Sequence, residues 1–187
     1  LKKIRFNSKN KFSFELNKKF KFSDFNIESK INVKNFLISN NLKLKKIFPE
    51  IKESIIFLDH KLELIYKKNN LNINGEGSIL LQNQKDKIRY SVILEDKTYK
   101  FDTAVEIKKN PLDINFLNYK KDKNNEAKIS VKGQKKIKQQ TKFDTISFVE
   151  KNNKIIINNL ILNKNFKIID LKSASFDFYD KKNNLNK

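Results

Sequence analysis

The sequence predicts an all-β protein: an antiparallel β-meander forming one long, curved, twisted sheet, a β-groove, with an apolar inner face and little helix. Three observations predict it. From Leu62 to Val131 one apolar/polar alternation follows another over several consecutive stretches. Short polar breaks separate the stretches, and short breaks between extended segments favour antiparallel neighbours. Nothing of comparable length has the 3.6-residue spacing of an amphipathic helix.

Within the central region the apolar parity switches from stretch to stretch. It falls on Leu62, Leu64 and Tyr66, then on Leu71, Ile73, Ile79 and Leu81. After residues 83–86 it moves to Ile88, Tyr90, Val92 and Leu94, and then to Tyr99, Phe101, Val105 and Ile107. Side chains two apart in a strand share a face, so each set forms one face of one strand. The meander is expected to continue through 112–116, with Pro111 at the start of a strand, and 127–131, with a charged hairpin tip at 120–125. Gly75 and Gly77 lie on the apolar parity and leave notches there; they are expected to mark a bulge or sharp curvature.

Before this region, Ile4 and Phe6, then Phe12, Phe14 and Leu16, then Phe20 and Phe22 suggest three strands broken at 7–11 and 17–19. Ile31 and Val33 continue the pattern. Phe36, Leu37 and Ile38 are consecutive, as at a strand end or at a bulge where the inward face changes. Leu42 and Leu44 alternate again before Ile47-Phe48-Pro49-Glu50-Ile51, where a loop or one helical turn is expected because Pro49 cannot donate a ladder hydrogen bond. The expected organisation is therefore N-terminal strands over 1–45, an interruption over 46–58 and the main meander over 59–187, in one continuous domain or a piece of a longer protein. Beyond Gly133, a basic, weakly patterned run over 135–142 precedes strand-like Phe143, Ile146 and Phe148. Further strands are expected at 155–157, 160–162, 166–169 and 176–178, joined at Asn158-Asn159, 163–165 and 170–173. With 3 glycines and 2 prolines in 187 residues, the turns must rest on Asn, Asp and Lys-Asn pairs.

The formal charge is +20, carried almost wholly by lysine, with Arg5 and Arg89 the arginines. Such charge raises nucleic acid, an anionic membrane surface or an acidic partner. Lysine, however, is a poorer choice than arginine for bidentate recognition of phosphate or bases. The abundance of Lys, Asn, Ile and Phe is also what AT-rich codons favour, so a solvated lysine-rich outer face accounts for much of the charge. The phenylalanines alternate with polar residues and the lysines fall opposite them. Aromatic and basic residues on opposite faces do not make a base-stacking groove, which argues against nucleic acid as the partner.

Catalysis has little support, and the chain reads as non-enzymatic, without cofactor or metal. His60 is the single histidine, read as a surface residue at a strand start. Gly75-Glu76-Gly77-Ser78 has neither the spacing of a nucleophile elbow nor the third glycine of a dinucleotide fingerprint. Glu95-Asp96 falls in a hairpin tip beside Lys97. Metal-ligand spacing is missing, and the absence of cysteine rules out disulfides and thiolate sites. No apolar run approaches the roughly 20 residues of a membrane-spanning helix. The start at Leu1 and the polar run over 181–187 lead us to expect a segment of a longer protein.

A sheet with one apolar face must cover that face with a second sheet, a helix or a ligand. Since helices are scarce, the chain either folds back as a self-packed sandwich or barrel, or forms a trough that holds something else. Acyl chains suit such a trough, because burying each methylene contributes about 0.8 kcal/mol. Sequence patterning leaves both open, along with a basic module that binds nucleic acid or another polyanion.

Ile47-Phe48-Pro49, the run Leu71-Asn72-Ile73-Asn74-Gly75-Glu76-Gly77-Ser78-Ile79-Leu80-Leu81, then Ile88-Arg89-Tyr90 and Tyr99-Lys100-Phe101 resemble the repetitive β-rich region of bacterial AsmA-like envelope proteins, in particular the YhdP-type group. The tail, 155–159 into Asn165-Phe166-Lys167-Ile168 and Phe176-Asp177-Phe178, is similar in rhythm. The likeness runs from about Leu42 onward and rests on strand and turn patterns. It implies a periplasmic protein of the cell envelope, anchored to the inner membrane by a segment outside this chain. Its implied work is lipid transport for outer membrane biogenesis, by passive passage of phospholipid acyl chains along the groove. The implied groove lining is Leu62, Leu64, Leu71, Ile73, Ile79, Leu81, Tyr90, Val92, Leu94, Phe101, Val105 and Ile107, with lysines at the rim attracting anionic headgroups.

Overall fold

A computed structural model describes residues 4–39, 45, 47–121, 123–137, 139–182 and 184–186. Its elements are β1 (Arg5–Leu16), β2 (Phe22–Ser39), β3 (Ser54–Lys67), β4 (Asn70–Leu80), β5 (Asp86–Glu95), β6 (Thr98–Ile107), β7 (Asp113–Ile114), β8 (Tyr119–Lys120), β9 (Ala127–Lys136), β10 (Thr141–Glu150), β11 (Asn153–Leu162), β12 (Ile168–Tyr179) and β13 (Leu185–Asn186). One 3₁₀ turn, Asn115–Leu117, lies between β7 and β8. Eleven strands form a single open antiparallel sheet in the order β1-β2-β3-β4-β5-β6-β9-β10-β11-β12-β13, while β7 and β8 pair only with each other. This is the all-β curved meander that the alternation predicts.

The turns follow from the composition. Lys68-Asn69 and Asp96-Lys97 take positive φ at both positions, as a two-residue hairpin turn requires, and Lys151 does so in the β10–β11 turn. None of the glycines has a positive φ. Asn17 closes the β1–β2 turn by accepting from the backbone N–H groups of Lys19 and Lys21 at 2.8 and 3.0 Å, and Asn163 does the same for Asn165 and Lys167.

Several expected breaks are not turns. Residues 7–11 lie inside β1, where Asn10 accepts from the Ser29 hydroxyl at 2.6 Å across the ladder. Polar groups on the apolar face satisfy each other there, and the chain need not turn away. Asn158-Asn159 and 170–173 likewise lie inside β11 and β12. Asn159 has positive φ, and across it the paired inward positions pass from Ile155 and Ile157 to Leu160 and Leu162. The positive φ re-aims the strand without ending it, and the register with both neighbouring strands is kept across it. The run Phe36-Leu37-Ile38 reports the same device: β2 turns inward with Val33 and then with Phe36, opposite a bulge in β3 at Asp59, which also has positive φ.

Of the segment between β2 and β3, residues 47–53 are a loop with an Ile51 N–H to Phe48 carbonyl bond of 3.2 Å. It ends earlier than the expected 46–58, because β3 begins at Ser54, and β2 pairs with β3 on either side of it. The expected alternation at Leu42 and Leu44 lies outside the described residues. The segment 112–116 departs most from expectation. It leaves the main sheet and, with β7, the 3₁₀ turn and β8, folds over the end of the apolar face. Among the described residues no second large sheet covers that face.

The hydrophobic core therefore sits at one end of the sheet. Ile55, Ile79, Leu81, Ile107, Ala127, Phe148, Ile155 and Phe178 come from strand ends or just beyond them, and Phe48, Leu112 and Tyr119 come from the two connections that fold over them.

Candidate functional site: the apolar face

Directly paired residues share a face, so the ladder registers define rows across the sheet. One row contains Leu62, Gly75, Tyr90, Thr103, Val131 and Ile146. The next, farther from the core, contains Leu64, Ile73, Val92, Phe101, Gly133 and Phe143, and beyond it lie Tyr66, Leu71, Leu94 and Tyr99. The rows put the expected lining residues on one continuous face and separate them into two environments. Ile79, Leu81 and Ile107 are buried in the core, at 4%, 7% and 0% exposure. Leu62, Leu64, Leu71, Ile73, Tyr90, Val92, Leu94, Phe101 and Val105 are half-buried, shielded chiefly by neighbours in the sheet. Toward β1 the face is more open still, with Phe6, Phe12 and Phe22 exposed.

The glycine notches are filled. Tyr90 lies over Gly75, with its ring 2.5 Å from where a Cβ would stand, and His60 lies over Gly77 at the same distance. Gly133 has the same relation to the ring of Phe101, at 3.0 Å. In each case the glycine leaves room for an aromatic ring of a neighbouring strand to lie flat across the sheet.

His60, read from sequence as a surface residue, is 1% exposed. The bulge at Asp59 swings it inward, which the local sequence Asp59-His60-Lys61 does not announce. Its Nε2–H donates to the Ser78 carbonyl at 3.0 Å, and its Nδ1 accepts from the Tyr90 hydroxyl at 3.4 Å. Both bonds suit the neutral ring, and burial holds its pKa below the ordinary 6.5 against the opposing effects of Ser78 and Asp59. Phe57 meets His60 edge-on at 5.2 Å and stacks on Phe36 at 4.4 Å. Burial also raises the Tyr90 pKa. This cluster is the wall where the covered and uncovered parts of the face meet.

Buried polar groups tie the covering segments down. Gln82 donates to the Pro111 carbonyl at 2.7 Å and accepts from the Glu50 N–H at 3.0 Å, so one side chain holds both connections. Asp86 accepts from Asn110 at 2.6 Å and from the Lys108 N–H at 3.1 Å. Burial nevertheless leaves its carboxyl above the usual range. The buried Lys121 ammonium donates to the Lys108 carbonyl at 2.7 Å. Tyr119 donates to Glu150, and burial followed by that carboxylate pushes its hydroxyl pKa far upward. These residues gave no sequence signal, because their partners lie more than 20 positions away except for the Lys121–Lys108 bond.

The opposite face is mainly polar, with Ile65 and Val149 exposed on it, and carries both signs. A crevice of about 550 Å³ there is lined by Lys61, Glu63, Glu76, Arg89 and Asp102 among others. Lys30 pairs with Glu63 at 3.5 Å and Lys100 with Glu95 at 3.0 Å. Among the described residues no group of three or more His, Cys, Asp or Glu could hold a metal ion, and no helix is long and apolar enough to cross a membrane.

In comparisons with known proteins, no family model, no curated protein and no solved structure matches the chain.

Proposed function

We propose that the uncovered part of the apolar face binds the acyl chains of phospholipid, and that the protein is a non-enzymatic lipid-binding or lipid-conducting component of a bacterial envelope. The observation that carries this reading is the one-sided covering of a continuous apolar face. Core side chains close one end, while Leu64, Ile73, Val92 and Phe101 remain half-exposed on the same sheet. Soluble monomers rarely leave contiguous apolar surface beyond a few hundred Å² without a partner. Acyl chains lying along the rows would cover it, gaining about 0.8 kcal/mol per methylene.

The resemblance to AsmA-like, YhdP-type proteins supports the same reading, and with it a periplasmic location and passage of phospholipid between membranes. Those remain parts of the proposal. Lysines on the polar face could draw anionic headgroups to the sheet's edges, a contribution that salt would weaken. A polyanion is less well served, because carboxylates interleave with the lysines there.

Mass spectrometry of lipid extracted from the purified protein tests the proposal. Phospholipid should accompany the wild type, and Val92→Asp should lower the load with the β-sheet circular dichroism retained. Absence of lipid after purification and after incubation with phospholipid vesicles would refute it. Leu81 is unsuitable for this test, since it lies in the closed core.

A further inference from the structure

We propose that the two edges of the sheet pair between copies of this chain, β12 of one copy receiving β1 of the next, so that the meander continues head to tail. β1 pairs with β2 alone, and all of its residues are exposed. β12 pairs with β11 on one side; on the other, β13 reaches only Phe178 and Tyr179. Among the described residues, the outer side of residues 168–177 is thus unpaired. Two long edges with free N–H and C=O groups are templates for another strand.

The topology specifies how they would meet. Every neighbouring pair in the sheet is antiparallel, and the strand order makes β1 and β12 run in opposite directions. A second copy displaced sideways, without turning over, therefore brings its β1 antiparallel to β12. Both apolar faces then lie on the same side and both covered ends at the same level.

Charge supplies the register. Followed from strand to strand, the row that starts at Asp170 ends at Lys11, and the row of Asp177 ends at Arg5. Continuing the rows into the next copy places Asp177 beside its Arg5 and, after a one-residue shift of the kind β11–β12 shows between Ile161 and Leu162, Asp170 beside its Lys11. The apolar rows place Phe176 beside Phe6, in register with Asp177 and Arg5, and Ile168 beside Phe12 after a second one-residue shift. Among the described residues none of Arg5, Lys11, Asp170 and Asp177 is in an ion pair. A two-fold pairing of β1 with β1 would instead oppose Arg5, Lys9 and Lys11 to their own kind, which is unfavourable across a ladder. A head-to-tail contact does not close on itself and can propagate.

Sedimentation velocity over a range of concentrations tests this with two folded charge variants, Arg5→Asp with Lys11→Asp, and Asp170→Lys with Asp177→Lys. The wild type should associate. Each variant alone should associate roughly tenfold more weakly, since like charges then face each other. An equimolar mixture of the two should recover association, because each restores the other's missing partner. A wild type monomeric at every concentration, association unchanged in both variants, or a mixture no better than its components would overturn the proposal. If a variant does not fold, Lys11→Cys and Asp170→Cys in the otherwise cysteine-free chain give a second readout. A disulfide should form between the two variants when mixed with oxidised glutathione, which takes up the two electrons, and failure to form it, or faster linking of Lys11→Cys to itself, would equally overturn the arrangement.

Discussion

The two ends of the apolar face are made from the same strands and much the same residue types, yet only one is a core. At the covered end, Ile107 and Leu112 are at 0% and 1% exposure because residues 47–53 and 108–121 fold over them. At the open end, the tight turns at Lys68-Asn69 and Asp96-Lys97 return the chain at once, leaving no segment to fold back over Leu64 or Val92. Connection length, more than side-chain hydrophobicity, decides which part of the face becomes interior.

Truncation should separate the ends most clearly. Ile107→Ala should cost about 2–5 kcal/mol, as expected for a filled core position, whereas Leu64→Ala should cost roughly 1 kcal/mol because half of that side chain already meets solvent. Equal losses in urea unfolding would show that the open end is as closely packed as the core. The glycines refine the contrast. At Gly133 a new Cβ would stand 2.3 Å from the Lys142 carbonyl oxygen, whereas at Gly75 the contacts are the far end of the Tyr90 ring. Gly133→Ala should therefore cost about 1–3 kcal/mol and Gly75→Ala less, although both lie outside the covered core. Thermal melts of the pair would expose an inverted order.

The smallest effect expected is that of pH on the His60 wall. Burial lowers the folded-state pKa of His60 from 6.5, so the unfolded chain binds the proton first. The contribution of the neutral ring is present above pH 6.5 and is lost as pH falls through the folded value. Melting temperature should thus decline on acidification below pH 6.5, and His60→Gln should flatten that decline. An identical pH profile in the variant would remove His60 from the account.

The strands were legible because period-2 alternation is local, as at Leu62, Leu64 and Tyr66. The change of inward face near Phe36-Leu37-Ile38 was legible for the same reason, although the bulge itself lies in β3 at Asp59. Asn7 to Lys11 and Asn158-Asn159 misled because polar residues inside a strand and polar residues in a turn look alike until the cross-strand partner is known. The lid over 108–121 was hidden for a further reason. Leu112 and Ile114 have the spacing of a strand, and what takes them out of the sheet is a set of distant polar bonds from Gln82, Asp86 and Asn110. For the candidate face, alternation identified which residues share it but could not divide them into covered and uncovered.

The strand order has one more consequence. Apart from the β6–β9 step, every main-sheet strand lies beside its neighbour in sequence, so each contributes mainly to two adjacent interfaces. Stability in such an array is close to a sum of local strand and interface contributions, as in linear repeat proteins, and the ends need not share the cooperativity of the middle. The all-exposed β1 is then the first segment to detach, while β3 to β12, anchored by the covered end, hold together to the last.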